Sequence, residues 1–204
     1  TNHALKIEIG KYKTDPNNDF WGKTWQLFSR RSWEAPQSFI GREYSQARNL
    51  FGKVDRVDYF GGATFVTNEN AGKRNGVSLG NYINININDE ITGDFEQKVL
   101  SDLLFMHEYG HTFDSRIYGL TYLLSIGIPS LNSASKNEAI TAPPFDTHGS
   151  YWTERRANRH TKKYFEKYYG MNWSAIYGYY LKWDEELKTY ILTPYTIEDI
   201  YPTY

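Results

Sequence analysis

The chain contains no cysteine among its 204 residues, and this absence excludes two kinds of stabilising site at once. Without thiols, neither a disulfide framework nor a zinc site built from thiolates can form. Any bound metal ion must therefore be held by histidine and carboxylate side chains. The sequence offers 5 histidines and 24 acidic residues for that purpose.

An excess of charge of one sign is also absent. The formal net charge is -1 at pH 7, and the isoelectric point is about 6.5. Nucleic-acid-binding domains usually carry a strong basic excess. We therefore expect no nucleic-acid partner, in spite of a basic cluster in the second half of the chain. That cluster consists of Arg155, Arg156, Arg159, His160, Lys162, Lys163 and Lys167.

A hydrophobic run long enough to cross a membrane is missing too. The longest apolar stretch, residues 117–131, is shorter than the roughly 20 residues that a spanning helix requires. It is also interrupted by Gly119, Gly127 and Pro129. We therefore expect no stable insertion into a membrane.

The most informative segment is His107-Glu108-Tyr109-Gly110-His111, a complete H-E-x-x-H motif. On an α-helix the two histidines stand at i and i+4, so both imidazoles project from one face and can bind one Zn²⁺. Glu108 lies beside them and is placed to take a proton from an attacking water. Composition alone would produce such a motif in roughly one chain in a hundred of this length. The sequence therefore predicts a zinc site on a helix, with Glu108 as the catalytic base.

The third zinc ligand is not part of this motif. A metzincin would continue with a glycine and a third histidine, but Asp114 and Ile117 stand at those positions, which excludes that branch. The other common arrangement takes a glutamate from a later helix and leaves one position for water. Glu154, which follows His111 by 43 residues, is the predicted third ligand. The alternatives are His148, which would give three histidines, and a surface role for Glu154.

Four further residues have predicted roles at the metal site, two in orienting the ligands and two in stabilising an oxyanion. Asn158 stands one helical turn after the third ligand, and Asp114 stands three residues after the second histidine of the motif. Each is placed to contact a ligating imidazole and to fix its orientation. His148 and Tyr151 are the candidates for stabilising an oxyanion. Because the chain contains 18 tyrosines, a packing role is the alternative for Tyr151.

Hydrophobic periodicity predicts one strand and two helices in the first 50 residues. Leu5, Ile7 and Ile9 alternate with polar residues, which predicts an opening strand. Two later segments have helical spacing and are separated near residues 34–36. Their apolar stripes are expected to lie in the core. The stripes consist of Trp21, Trp25 and Phe28 in the first helix and of Phe39, Ile40, Tyr44 and Ala47 in the second.

Residues 54–67 and 77–88 are β-like and are joined by a polar, glycine-containing turn, which predicts one hairpin of two strands. The second strand alternates strictly, with isoleucine at 83, 85 and 87 and asparagine at 84, 86 and 88. The isoleucine face is predicted to be buried. We expect the strand at the sheet edge beside the metal site, where an extended peptide can add through main-chain hydrogen bonds. The alternative for the asparagine face is the solvated side of an ordinary sheet.

After the motif, residues 130–149 are rich in Ser, Asn, Thr and Pro, which predicts a long surface loop. A helix is predicted from about Ser150 to Tyr169, with Gly170 past its end. The tail contains a predicted strand at residues 190–192. Together the elements indicate an α+β fold in one domain of residues 1–204. Its sheet and motif helix occupy residues 1 to about 118, and a mainly helical part follows from about 119.

Several segments resemble the metallopeptidase-like domains at the C-terminal ends of bacterial Rhs-repeat and polymorphic-toxin proteins. They lie between Val54 and Phe165 and comprise residues 76–84, 106–115 and 127–131, with Trp152-Thr153-Glu154 and Ala157-Asn158. The resemblance implies a gluzincin-like, zincin-like fold in which a small antiparallel or mixed sheet covers the helix. It also implies zinc peptidase activity and delivery by a larger parent protein. The chain departs from the family at Asp114, where related domains often carry glutamine.

Three functional hypotheses result. The first is a zinc-dependent peptide hydrolase, more an endopeptidase than an exopeptidase, that acts on peptides or proteins as a secreted or cell-surface effector or toxin. The second is an interaction or delivery module of a larger surface protein, in which a metal with four protein ligands only stabilises the fold. The third is a nucleic-acid-directed toxin that uses the basic cluster, although such clusters are usually a solvated helix face.

Overall fold

The computed structural model describes residues 2–139, 152–172, 179–184 and 189–194. Within them the fold is α+β, as predicted, with seven α-helices, a mixed four-stranded sheet and a two-stranded sheet. The helices are α1 (Asn2–Ile9), α2 (Phe20–Arg31), α3 (Ala35–Leu50), α4 (Phe95–Ser101), α5 (Leu103–Tyr118), α6 (Ile128–Ala139) and α7 (Trp152–Tyr169). The strands are β1 (Arg56–Phe60), β2 (Ala63–Asn68), β3 (Asn75–Leu79), β4 (Tyr82–Asn86), β5 (Tyr179–Asp184) and β6 (Thr189–Pro194).

The chain forms two compact units, Thr1–Ser125 and Ile126–Tyr204. The first contains α1 to α5, the four-stranded sheet and the whole H-E-x-x-H segment. The second contains α6, α7 and the antiparallel pair of β5 and β6. The division lies a few residues after the predicted boundary near residue 118. That both units act as one functional domain stays a prediction.

The four-stranded sheet has the order β1-β2-β4-β3. β1 and β2 form an antiparallel hairpin, as do β3 and β4, while β2 and β4 pair in parallel. The first hairpin turns at Gly61-Gly62, whose φ angles of 56° and 81° suit a type I′ turn. The second turns at Gly80-Asn81. The predicted single hairpin of two long strands is therefore wrong, because each predicted strand is itself a hairpin.

β4 is an interior strand with β2 on one side and β3 on the other, so its predicted position at the sheet edge is wrong. Its isoleucines are buried, as predicted. Asn84 is buried as well, and its side-chain oxygen accepts a hydrogen bond from the Ser45 hydroxyl at 3.2 Å. The side-chain oxygen of Asn86 accepts one from Arg48 at 2.6 Å. These asparagines connect the sheet to α3 and are not available to a peptide.

Residues 2–9 form a helix, so the predicted opening strand is wrong. An alternation over five residues is too short to decide between helix and strand, and tertiary contacts decide here. Ile7 is fully buried in a core cluster with Val66 of β2. Two tyrosine hydroxyls from the sheet donate to carbonyls of α1, from Tyr59 to Lys6 at 2.6 Å and from Tyr82 to Ile7 at 3.1 Å.

Helices α2 and α3 form where they are predicted. Their apolar stripes face solvent and not the core, so the predicted core role of the stripes is wrong. Polar side chains on both helices are buried, and several of them bind backbone carbonyls. The buried polar residues are Gln26, Ser29 and Arg30 in α2 and Gln37, Ser45 and Arg48 in α3. The exposed apolar residues are Trp21, Trp25 and Phe28 in α2 and Phe39, Ile40 and Tyr44 in α3.

In the second unit, α7 confirms the predicted helix, and Gly170 follows it with a φ of 63°. β6 confirms the predicted strand at residues 190–192. The predicted surface loop of residues 130–149 is wrong for its first half, because α6 extends to Ala139. Its second half lies outside the described residues.

Candidate metal centre

The H-E-x-x-H segment lies on α5, whose N-terminal end is fixed by Asp102. The Asp102 carboxylate caps the helix by accepting a hydrogen bond from the backbone N–H of Leu104 at 3.1 Å. It also accepts hydrogen bonds from Arg74 at 2.7 and 2.9 Å and lies 3.1 Å from the ammonium of Lys98. Burial alone would raise the pKa of Asp102, but the hydrogen bonds from Arg74 and Lys98 outweigh it and lower that pKa. The cap is therefore anionic at neutral pH, which suits the positive end of the helix dipole.

The C-terminal end of α5 is held by two side chains from the region of α3. Trp33 donates a hydrogen bond from its indole N–H to the carbonyl of Arg116 at 3.0 Å. Gln37 donates to the carbonyls of Ser115 and Gly119 at 3.3 and 2.8 Å. The carbonyls of the last helical turn lack partners within the helix, so these side chains supply the missing donors. Both ends of the motif helix are thus fixed.

Tyr109, between the two motif histidines, joins α5 to the turn between β1 and β2. Its hydroxyl donates to the carbonyl of Gly61 at 3.1 Å, and its ring meets Phe60 edge-on at 5.3 Å between centroids. A side chain at Gly61 would collide with this hydroxyl, since a Cβ there would lie 2.0 Å from it. One turn earlier, Phe105 stacks on Phe65 of β2 at 5.8 Å. The apolar face of α5 is therefore anchored in the core.

The structure brings the three predicted metal ligands together. One ligand atom from each of His107, His111 and Glu154 lies within 4.8 Å of the others. The two imidazole centroids are 4.9 Å apart, with the ring planes at 89°. A tetrahedral ion bound at about 2.1 Å holds its ligands about 3.4 Å apart, a separation that lies within this 4.8 Å limit. His111 and Glu154 are buried and His107 is half-buried, and the group could hold a metal ion.

Glu154 lies in the first turn of α7, and only 1% of its surface is exposed. The hydroxyl of Thr153, which is also buried, donates a hydrogen bond to Oε1 of Glu154 at 2.8 Å. A buried carboxylate is costly unless a cation or a metal compensates its charge. A role for Glu154 on the helix surface is therefore inconsistent with its position.

Asp114 and Asn158, the residues predicted to orient the ligating imidazoles, lie near the ligands along their own helices. Asp114 is fully buried, and its Oδ2 is 3.9 Å from Nδ1 of His111. This is too long for a hydrogen bond. Asn158 stands one turn after Glu154 and is half-buried. That these two residues orient the ligands stays a prediction.

Two residues that the motif does not reveal lie beside Glu108. The Ser78 hydroxyl is 2.7 Å from Oε2 of Glu108 and 2.8 Å from its carbonyl oxygen. Gly76 leaves room for the carboxylate, because a Cβ there would lie 2.4 Å from Oε1. Both belong to residues 76–84, which carry part of the family resemblance. Their spacing of two places both on the same face of β3, but nothing in that spacing points to Glu108.

The predicted oxyanion-stabilising residues, His148 and Tyr151, lie outside the described residues. Their roles, and His148 as an alternative ligand, stay predictions. The basic cluster lies on α7, where Lys162 is 3.7 Å from the carboxylate of Glu166. Such i, i+4 pairs are typical of solvated helix faces.

None of the helices in the described residues combines the length and the apolar character that a membrane span requires. No family model, no curated protein and no solved structure matches the chain. What this protein does must therefore be inferred from the residues at the metal centre.

Proposed function

We propose that the protein is a zinc-dependent peptide hydrolase of the gluzincin type, with a zincin-like fold. The observation that carries the proposal is the group of His107, His111 and Glu154, whose ligand atoms lie within 4.8 Å of one another. Two imidazoles and one carboxylate are the ligand set of a major class of catalytic zinc sites. Mg²⁺ and Ca²⁺ prefer ligand sets made of oxygen atoms. The donor atoms therefore favour zinc.

The number of ligands favours catalysis over a purely structural role. A structural zinc site has four protein ligands, whereas a catalytic site has three and keeps one position for water or substrate. In the described part of the chain the group has three members. The alternative function, a metal-stabilised interaction or delivery module, requires a fourth protein ligand.

A bound zinc ion would supply Lewis acidity, which lowers the pKa of water to about 7 and polarises a peptide carbonyl. In the proposed mechanism Glu108 takes the proton of the attacking water and passes it to the leaving amine. Ser78 holds Oε2 of the Glu108 carboxylate at 2.7 Å, so Oε1, on the side of Gly76, receives the proton. Ser78 is therefore a positioning residue for the base.

An extended peptide as substrate is supported by the sheet edge next to α5. β3 is an outer strand of the described sheet, and α5 packs against it. A peptide can add to such an edge through main-chain hydrogen bonds. We therefore assign the substrate to the edge of β3. The asparagine pattern predicts β4 for this role, but β4 is an interior strand. An edge accepts a chain that continues in both directions, which favours an endopeptidase over an exopeptidase.

The family resemblance extends the proposal to a biological setting. We propose that the domain is secreted or displayed at the cell surface as the effector or toxin part of a larger polypeptide, like the C-terminal domains of Rhs-repeat proteins. Two of the segments that carry this resemblance, residues 76–84 and 106–115, meet at the hydrogen bond between Ser78 and Glu108. The resemblance therefore includes the residues of the proposed proton transfer.

The variant Glu108→Gln tests the proposed function. We expect it to keep its zinc, because Glu108 is not a ligand, and to hydrolyse fluorescently labelled casein roughly 10²- to 10⁴-fold more slowly than the wild type. Zinc is measured by atomic absorption on protein purified without added metal. Loss of zinc from the variant would show that Glu108 is a ligand. A wild-type protein that holds zinc tightly but cleaves neither casein nor a peptide library would favour the interaction module.

A further inference from the structure

Helix α2 presents an aromatic face to solvent. Phe20, Trp21, Trp25 and Phe28 are 72%, 74%, 53% and 58% exposed. Phe20 meets Trp21 at 5.3 Å and Trp25 meets Phe28 at 6.2 Å between ring centroids. An aromatic side chain buries about 200 Å² when it is covered, so four that are more than half exposed offer roughly 500 Å². Apolar patches of this size on one chain generally mark an interaction site.

The opposite face of α2 holds the helix in this orientation. The side-chain oxygen of Gln26 accepts a hydrogen bond from the backbone N–H of Asp15 at 2.8 Å. Arg30 donates to the carbonyl oxygens of Gly62, at 2.8 Å, and of Lys13. Rotation of the helix to bury its aromatic side chains would deprive these buried polar groups of their partners. The exposure of the aromatic face is therefore built into the fold.

A basic groove lies at the C-terminal end of α2, between the 3₁₀ turn Gly10–Tyr12, α2 and α3. Its volume is about 250 Å³, and no acidic side chain is among its lining residues. Its four basic residues are Lys11, Arg30, Arg31 and Arg42. Arg42 pairs with Glu43 at 2.6 Å and Lys11 with Glu8 at 3.4 Å. Two of the four cations of the groove are therefore paired with carboxylates.

Arg30 and Arg31 form no ion pair with a carboxylate in the described residues. Arg30 is buried and lies near the charge of Glu34. Arg31 is exposed, donates to the carbonyl of Leu27 at 3.1 Å and lies over the ring of Tyr12, 5.3 Å from its centroid. Arg31 is therefore the groove cation that is most accessible to an anion.

We propose that this face binds the surface of a bilayer that contains anionic lipids. The aromatic side chains of α2 enter the interfacial region, and Arg31, the exposed cation of the groove, binds lipid phosphate. Helices that lie in a membrane interface combine an aromatic face with basic residues in this way. α2 carries Lys23, Arg30 and Arg31 and no acidic residue, so its charge is complementary to an anionic surface. Binding of this kind is reversible and requires no spanning helix.

A second copy of the chain fits this face less well. A symmetric dimer through α2 would bring the same surface of both copies together. All charged residues of α2 are cations, so any charged pairing between the two helices would be between like charges, which oppose association. Anionic headgroups, by contrast, complement the basic groove while the interfacial region accepts the aromatic face.

The test is co-sedimentation of the full chain with vesicles of phosphatidylcholine and phosphatidylglycerol, compared with vesicles of phosphatidylcholine alone. We expect the wild-type protein to bind the anionic vesicles and to bind them less as salt is added. The double variant Trp21→Ser, Trp25→Ser should bind on the order of a hundredfold more weakly, because each indole contributes about tenfold. Arg31→Glu should weaken binding to the anionic vesicles on the order of tenfold.

Leu124→Ser is the matched control, because it removes a side chain that is 71% exposed but lies outside α2. It should leave vesicle binding unchanged. Trp25 also packs on Trp33 at 5.0 Å between ring centroids, so the Tm of the double variant is measured to separate loss of binding from loss of folding. Absence of wild-type binding to anionic vesicles would overturn the proposal, and so would equal binding by the double variant. Dimerisation that the double variant abolishes, without vesicle binding, would instead assign the face to a second copy of the chain.

Discussion

The hydroxyl of Ser78 lies 2.7 Å from Oε2 of Glu108 and 2.8 Å from the carbonyl oxygen of the same residue. One buried hydroxyl therefore contacts both the side chain and the backbone of the proposed catalytic base. Ser78 belongs to β3 and Glu108 to α5. The contact joins β3, an outer strand of the described sheet, to α5, the helix that carries His107 and His111. The proposed proton transfer takes place at this contact.

Replacing Ser78 by alanine removes this donor to the base. We expect kcat for peptide hydrolysis to fall about tenfold with little change in KM, because the base loses its orientation while substrate binding is kept. Zinc content should not change, and the free energy of unfolding should fall by about 1 kcal/mol. Ser78→Thr keeps a hydroxyl and should recover much of the rate.

Ser45→Ala is the matched control for this change. The Ser45 hydroxyl is also buried and lies 2.8 Å from the carbonyl of Gly41 and 3.2 Å from the side-chain oxygen of Asn84. Its loss should lower stability by a similar amount without changing kcat. A Ser78→Ala protein with the wild-type kcat would contradict the positioning role.

Gly76→Ala tests the space beside the base. A Cβ at this position would lie 2.4 Å from Oε1 of Glu108, so the carboxylate must move. We expect kcat to fall on the order of a hundredfold with zinc retained, since a misplaced base loses most of its contribution. Gly72→Ala is the control: nothing lies within 4 Å of its Cβ, and its φ of 72° is unfavourable for alanine. It should lower stability only, and equal kcat losses in both variants would refute the steric explanation.

Glu154→Ala tests the third ligand. Removing one of three ligands should abolish tight zinc binding, so that protein purified without added metal contains almost no zinc. Glu166→Ala, on the same helix, removes a carboxylate whose side chain is 39% exposed and should leave zinc content unchanged. His148→Ala should keep the zinc as well. If His148→Ala loses the metal and Glu154→Ala retains it, the ligand assignment is wrong.

Asp102→Asn tests how the motif helix is anchored. Asparagine can still cap α5, but it loses the ion pairs with Arg74 and Lys98, which should reduce stability at neutral pH by roughly 1–2 kcal/mol. The folded-state pKa of Asp102 is lowered, so its stabilisation is fully present above the ordinary aspartate pKa of about 3.9. It is lost as the pH falls through the lower folded value. The difference in unfolding free energy between wild type and variant, measured by urea denaturation, should therefore shrink in acid. A difference that grows there would contradict the assignment.

The group of candidate metal ligands could be predicted because a helix converts sequence spacing directly into geometry. The helical period alone places His107 and His111 on one face, and Glu154 required only one further helix. Ser78 and Gly76 could not be identified in this way. They reach Glu108 through the pairing of β3 with β4 and the packing of β3 against α5, neither of which local spacing encodes.

Two of the errors in the predicted fold share a cause, which is that long-range partners decide which face is buried. The spacing of Trp21 and Trp25 correctly predicts a helix, but the contacts of Gln26 and Arg30 with neighbouring turns set its orientation. Asn84 alternates with isoleucine as a solvated residue would, yet its contacts with α3 bury it. Periodicity indicates the type of element, whereas its environment depends on elements far away in sequence.

The parallel pairing of β2 with β4 has a consequence for the order in which the sheet folds. Each hairpin closes through a two-residue turn, so each can form from local contacts within about 1–10 μs. Contacts between β2 and β4, such as Thr64 with Tyr82, are more distant in sequence and lose more chain entropy before they form. We therefore expect the two hairpins to form first and then to dock, with residues 69–74 as the hinge between them. β3, whose Ser78 contacts Glu108, would thus be complete before α5 packs against it.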